Sequence, residues 1–331
     1  KVTCAMKTKS IILLIFLAML LLAAAVFRLL ITRDVDGSLL FELPLDKYFI
    51  YRLVPMSAAL IVGSALGVSG MGLQVLLRNP LASPWILGLS SGAGLGVMAT
   101  MYAEHTFEAS FFGGQSLGAV VGALFSLFLV FSLSRRRGGI DPMTMVLVGV
   151  VISVLCGAGI MIFQHLVPMG LRGSFSTWLM GSLPEVESWL RLGILGLLVL
   201  IGIFLIALWG PTLDAACLSD DEAKSVGVDL AKIRRRLFLT SSMLAAIGVI
   251  LAGPIAFVGL IAPHGARLLM RCSHRTLTIA TALVGALLLL VADDIRQLID
   301  FGTGRLPIGI VTSIIGGLVF LILLLRGRGR V

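Results

Sequence analysis

The residue types that carry chemistry are sparse in this chain, and their spacing builds no catalytic constellation. Cys4, Cys156, Cys217 and Cys272 share no short spacing, which disfavours a disulfide framework and a thiolate metal site alike. His105, His165 and His274 stand alone, and His264 with Arg267 falls in a proline-containing segment, where a polar pair at a helix end is expected rather than a metal ligand set. No G-x-x-x-x-G-K-[ST] loop is present to cradle phosphates, so ATP, if it powers this protein, is bound by another chain. The apolar stretches lack the central carboxylates or histidine of a proton relay. Asp293, Asp294 and Arg296 fall near the end of one stretch and Arg28 near the end of another, where long side chains are expected to snorkel toward water.

One polar segment, residues 210–236, is patterned as a folded element. Ser219 with Glu222 three residues on reads as a capping box, Asp220 and Asp221 suit the positive end of a helix, and Gly227 is a natural stop. Asp229 can cap a second helix that runs through Leu230 and Ile233 into the next apolar stretch. Leu218, Ala223 and Val226 are expected to be exposed beside the charged groups. On these residues alone, docking of a partner and plain connection both stay open.

The elements that must position these groups are membrane spans. The chain is 58% hydrophobic and 13% charged, with a mean hydropathy of +1.06, far from the balance of a water-soluble domain. Ten spans are expected, at 10–32, 54–77, 84–102, 114–134, 143–167, 189–209, 237–251, 255–270, 276–296 and 307–325. The first is read as a retained span, being longer than a signal sequence's apolar core. Every second connection collects the Lys and Arg, at Lys7 and Lys9, Arg78, Arg135–137, residues 224–236, Arg267, Arg271 and Arg275, and Arg326, Arg328 and Arg330. That alternation places both termini in the cytoplasm of a bacterial inner membrane, the opposite loops carrying Asp34, Asp36, Glu42, Glu104, Glu185 and Glu187. The net charge of +9 is thus topology, and its dispersal excludes a nucleic-acid face.

The third, seventh and eighth spans look short, and glycine- or proline-broken spans belong in the interior of a bundle. Gly70 precedes Pro80 by ten residues and Gly253 precedes Pro263 by ten. This spacing fits an inverted repeat of two five-helix halves and equally fits two unrelated interruptions. Pairs such as Gly63 with Gly67, Gly88 with Gly92 and Gly118 with Gly122 are expected to serve close helix packing. The fold class is an all-α polytopic membrane protein, the whole chain 1–331 forming one transmembrane domain.

The run 70–96, with Gln74, Arg78, Asn79, Pro80, Leu81, Ala82, Pro84 and Gly88, resembles the second and third spans of the FecCD/BtuC-type permeases. Gly253, Pro254, Phe257, Gly259, Pro263, His264 and Arg267, then His274 and Arg275, are similar to that family's other strong signature. Pro307, Gly309 and Thr312 match the approach to its last span, Trp178 with Gly181 a segment before the sixth, and Glu222, Ala223 and Gly227 its coupling loop. The resemblance implies a type II ABC importer permease: a second copy of the chain, two ATPase subunits that bind ATP and Mg, and a periplasmic substrate-binding protein. It implies that residues 210–236 form the coupling loop, with Leu218, Ser219, Asp221, Glu222, Ala223, Val226 and Gly227 in contact with the ATPase. It also implies docking of the binding protein at Arg52 and Arg296, and a path past Met145, Ser153, Met161, Thr312 and Ser313. The chain itself then performs no bond chemistry and needs no cofactor or metal.

The cargo implied is a metal chelate, iron-siderophore first, with haem, cobalamin or molybdate as alternatives. Three positions depart from the family pattern: Pro55 replaces an arginine, the run 316–319 replaces a proline-containing step, and Arg305 stands where an acidic residue is common. The rival is a secondary transporter driven by an ion gradient, which glycine-broken spans permit and the lack of buried ionisable groups opposes. A structural or assembly protein of the membrane, with no transport, is the third reading.

Overall fold

The computed structural model describes residues 2–33, 39–41, 46–108, 114–136, 139–270, 272–299 and 306–327. Of the positions read above, Asp34, Asp36, Glu42, Arg137, Arg271, Arg305, Arg328 and Arg330 lie outside the described residues. The helices are α1 (Val2–Leu30), α2 (Asp46–Leu77), α3 (Leu89–Phe107), α4 (Gly114–Leu133), α5 (Pro142–Leu166), α6 (Met169–Leu179), α7 (Trp189–Leu208), α8 (Gly210–Ala216), α9 (Asp220–Ser225), α10 (Leu230–Ala252), α11 (Val258–Leu269), α12 (His274–Leu298) and α13 (Ile308–Gly327). Two very short antiparallel hairpins, 31–33 with 39–41 and 135–136 with 139–140, close two of the connections.

Among the described residues, α1, α2, α4, α5, α7, α10 and α12 are long and apolar enough to cross a membrane. The other three expected spans coincide with α3, α11 and α13. The third span is broken where expected, a 3-10 turn at Pro84–Leu87 joining α3 through Gly88 at φ +72°. The eighth is short, α11 having 12 residues. The seventh is not: the basic run at Arg234, Arg235 and Arg236 that looked like a boundary is continuous helix, and α10 extends over 23 residues.

α2 is the centre of the bundle, packed against α10, α11 and α12. Of its apolar window, 83% is buried, against 6% for α1, which leaves α1 the face for lipid. Apolar side chains gain little by leaving lipid for protein, so close backbone approach carries the packing. The predicted glycine pairs supply it. Gly63 and Gly67 of α2 lie on Gly285 and Thr281 of α12, and Gly118 and Gly122 of α4 lie on Gly92 and Gly96 of α3, where any side chain would enter the facing backbone. The two Gly-to-Pro spacings do not occupy corresponding places. Gly70 lies inside α2 with Pro80 in the connection beyond it, whereas Gly253 ends α10 and Pro263 lies inside α11.

The charged groups at the ends of α1 and α12 do not snorkel. Arg28, Asp293 and Arg296 are 3%, 0% and 4% exposed, and both arginines pair with the one carboxylate, at 2.5 and 2.7 Å. A carboxylate between two guanidinium groups keeps its charge out of water only because both partners come with it. The run 316–319 also has a packing reason, since Gly316 of α13 accepts Phe257, and a side chain there would occupy the place of its ring.

Candidate coupling element and its anchorage

The segment 210–236 folds as its local signals dictate. Ser219 accepts the Glu222 N–H at 3.3 Å, and the Glu222 carboxylate accepts the Ser219 N–H at 3.1 Å, a complete capping box. Gly227, at φ +83°, ends the turn, its N–H donating to the Lys224 carbonyl. Asp229 accepts the Lys232 N–H at 3.0 Å and starts α10. Leu218 and Val226 are exposed as expected. Ala223 is not: it is fully buried, on the inner side of α9 in the same apolar cluster as Leu230 and Ile233. A six-residue helix has room for one inward position, and the smallest side chain takes it. The outward surface of α9 and its ends includes Leu218, Ser219, Asp221, Glu222, Val226 and Gly227.

Sequence reasoning missed what fastens α9 to the bundle. Arg78, the residue just past α2, donates to the carbonyls of Ala216 and Leu218 at 3.0 and 2.7 Å and pairs with Asp220 at 2.7 Å. Arg234 of α10 reaches the same Asp220 carboxylate at 3.0 Å. Partial burial raises the Asp220 carboxyl, but Arg234 and Arg78 outweigh it and hold it below the usual carboxylate range. Glu222 is likewise lowered by its hydrogen bonds from Ser219. The arginine run begins fourteen residues after Asp220, and nothing local connects residue 78 with residue 220.

The other family-signature residues gather in two places. Beside Arg78, Asn79 accepts the Leu81 N–H in a tight turn that exposes Pro80, and Arg267 donates to the buried Gln74 amide oxygen at 2.5 Å. His264 is half-buried one helical turn before Arg267. At the opposite end of the bundle, Gly253, Pro254, Gly181 and Gly309 meet. The Ser182 N–H bonds to the Ala252 carbonyl at 2.8 Å, Gly309 lies against Met180, and Pro307 leads into α13. Phe257, at φ +65°, turns the chain into α11, and Gly259 admits the Pro84 ring.

Two of the expected sites are corrected by burial. Arg296 is enclosed with Asp293, so it offers no outward guanidinium for a docking protein. Met145 and Thr312 are buried within the chain, Met145 on the α5 face that also carries Gly149, Ile152 and Cys156, and neither forms a free lining. Ser153 is half-buried with its hydroxyl on the Gly149 carbonyl, and Met161 and Ser313 are exposed. Arg52 is half-buried near the start of α2 and donates to the Leu29 carbonyl. The arginine position taken by Pro55 is helical and buried inside α2.

Long apolar helices around a buried centre, with a capped short helix held outside them, define a multi-pass membrane protein. The chain belongs to the FecCD transport family, whose profile matches residues 8–326. The hemin transport system permease protein of Yersinia pestis is 36% identical over 280 residues, which cover 84% of this chain and 82% of that protein. The vitamin B12 import system permease protein of Vibrio cholerae is equally similar, 36% over 280 residues with the same coverage. A structure described as an inward-facing conformation of a metal-chelate type ABC transporter superposes with a TM-score of 0.82 at 29% identity, covering 96% of this chain and 99% of that one. PsaBC from Streptococcus pneumoniae shares the fold, at TM-score 0.54 and 15% identity over 82% of this chain and 90% of that one.

Proposed function

We propose that this chain is the membrane subunit of an inner-membrane ABC importer that moves a metal chelate into the cytoplasm by alternating access. Two copies would enclose the path, two ATPase subunits binding ATP and Mg would sit beneath, and a periplasmic binding protein would deliver the cargo at the end that carries Arg52. Both termini and residues 210–236 face the cytoplasm in this reading. The relatives named for hemin and vitamin B12 favour a large tetrapyrrole chelate; an iron-siderophore is the next choice and molybdate the last.

The observation that carries the reading is the double anchorage of α9. Its outward residues are exposed to a partner, while Asp220 ties it to the end of α2 through Arg78 and to α10 through Arg234. A push on α9 by closing ATPase subunits would therefore be delivered to the central helix of the bundle rather than absorbed in a loop. The transport cycle asks no bond chemistry of the chain itself.

The test is uptake into proteoliposomes holding this chain with the ATPase and binding protein of its own operon. ATP-dependent accumulation of hemin, cobalamin or a ferric siderophore is expected. Uptake driven by a proton or sodium gradient without ATP would overturn the reading.

A further inference from the structure

Behind α9 lies a group of side chains that helix coupling does not use. Cys217, the residue after α8, is exposed, and its Sγ lies 3.7 Å from Nε2 of His274 at the start of α12. Nδ1 of that ring is 2.5 Å from Oδ1 of Asp214, which also accepts the His274 backbone N–H at 3.0 Å. The carboxylate fixes the ring, favours the proton on Nδ1 and leaves Nε2 to take one from sulfur. A thiol beside a base oriented by a third group is the arrangement that releases a thiolate nucleophile.

The thiol opens on a cavity of about 420 Å³ lined in part by Gln74, Arg78, Arg267 and His274. Gln74 is 3% exposed, its amide oxygen accepts from Arg267, and its buried NH₂ has no partner among the described residues. Among the described residues no carboxylate lines the cavity, Asp214 being engaged with His274. A space walled by a guanidinium asks for an anion.

We propose that Cys217 is a thiol–disulfide exchange site for small anionic disulfides of the glutathione type, whose carboxylates are held by Arg267. The Cys217 thiol passes its proton to Nε2 of His274, and the thiolate attacks one sulfur of the disulfide. That S–S bond breaks as the new one forms, and the departing thiolate takes the proton back from His274. One disulfide is exchanged for another, no further oxidant is consumed, and a second thiol reverses the reaction. The adduct stands one residue from the Ala216 and Leu218 carbonyls that Arg78 holds, so it would loosen the anchorage of the coupling element. Cys272 is the built-in contrast, because burial and then the nearby Asp214 push its thiol up, away from ionisation. Access from the cell interior rests on the cytoplasmic placement of residues 210–236.

The experiment uses the full chain in mild detergent, with Cys4→Ser, exposed to glutathione disulfide or to the neutral 2-hydroxyethyl disulfide and followed by peptide mass spectrometry. Cys217 is expected to acquire the glutathionyl group about tenfold faster than Cys272. Arg267→Gln should slow the anionic reagent about tenfold and leave the neutral one unchanged, a difference of one charge-assisted contact. Arg267→Lys should restore the preference for the anionic reagent, and His274→Gln should slow both. Equal rates at Cys217 and Cys272, or an Arg267→Gln effect that is the same for both reagents, would overturn the proposal. In inside-out vesicles, glutathione disulfide should reach Cys217. Exchange in detergent with labelling only in right-side-out vesicles would leave the exchange site standing and overturn its cytoplasmic placement.

Discussion

Asp293 neutralises two buried guanidinium groups at once, which makes it the residue whose loss should be felt most. Asp293→Asn removes the carboxylate that both Arg28 and Arg296 pair with, and removal of one partner from a buried pair costs about 3–5 kcal/mol. Thermal unfolding in mild detergent should show that loss, whereas Asp293→Glu should recover part of it. Asp220 holds two cations as well, but its carboxylate is 43% exposed, so its pairs are screened. Asp220→Asn should change stability by no more than about 1 kcal/mol and should appear instead as ATP hydrolysis without transport. The sign of its pH dependence follows from the direction of its shift. A carboxyl lowered in the folded state contributes fully above its ordinary value and loses that contribution as pH falls through the lowered one. A spin label at Ser225→Cys should therefore keep constant mobility from neutral pH down to about pH 4 and become more mobile only below it. Mobility that rose near neutrality would exclude the Asp220 clamp as its cause.

α9 is too short to be stable alone, and its two ends are what define it. The capping box at Ser219 starts it, and the left-handed Gly227 turns the chain away into α10. Gly227 has no neighbour among the described residues within 4 Å of the place a side chain would take, so its backbone is what resists substitution. A β-branched residue at that φ costs on the order of 1–3 kcal/mol. Gly227→Val is therefore expected to insert and fold normally yet uncouple ATP hydrolysis from uptake, and Gly227→Asn, which tolerates the left-handed region, to stay near wild type. Normal uptake in Gly227→Val would remove the helix stop from the coupling mechanism. Ala223 belongs to the same element for another reason, as its buried methyl seats α9 on the bundle.

At the scale of the whole molecule, α5 and α13 present exposed apolar side chains, among them Val150, Val154, Met161, Ile314 and Leu318. These surfaces are available to lipid or to a second copy of the chain. Native mass spectrometry of the chain, gently extracted from its host membrane, is expected to give two copies with two nucleotide-binding subunits. A chain that is reproducibly alone would remove the dimer from the proposed importer. The same scale explains why the α10–α11 break, the end of α6 and the start of α13 carry so many family-signature glycines. Gly181, Gly253 and Gly309 bring three backbones together where no side chain fits.

The sequence by itself determined whatever depends on neighbours along the chain. Hydropathy placed the spans apart from the start of the seventh, the Ser219–Glu222 spacing fixed the start of α9, Asp229 fixed the start of α10, and the glycine pairs marked close helix contacts. Each is a matter of a side chain meeting backbone within one turn, or of one helix face repeating every third or fourth residue. Only the tertiary structure decided which helix ends share their charges, and it turned Arg28, Asp293 and Arg296 from expected surface anchors into a buried cluster. It also turned Met145, Thr312 and Ala223 inward, joined Arg78 to a carboxylate far along the chain, and set Cys217 against His274 across 57 residues. Those outcomes depend on which faces of distant helices meet. In a chain that is apolar on nearly every face, periodicity alone does not say whether lipid, a second subunit or its own core covers each one.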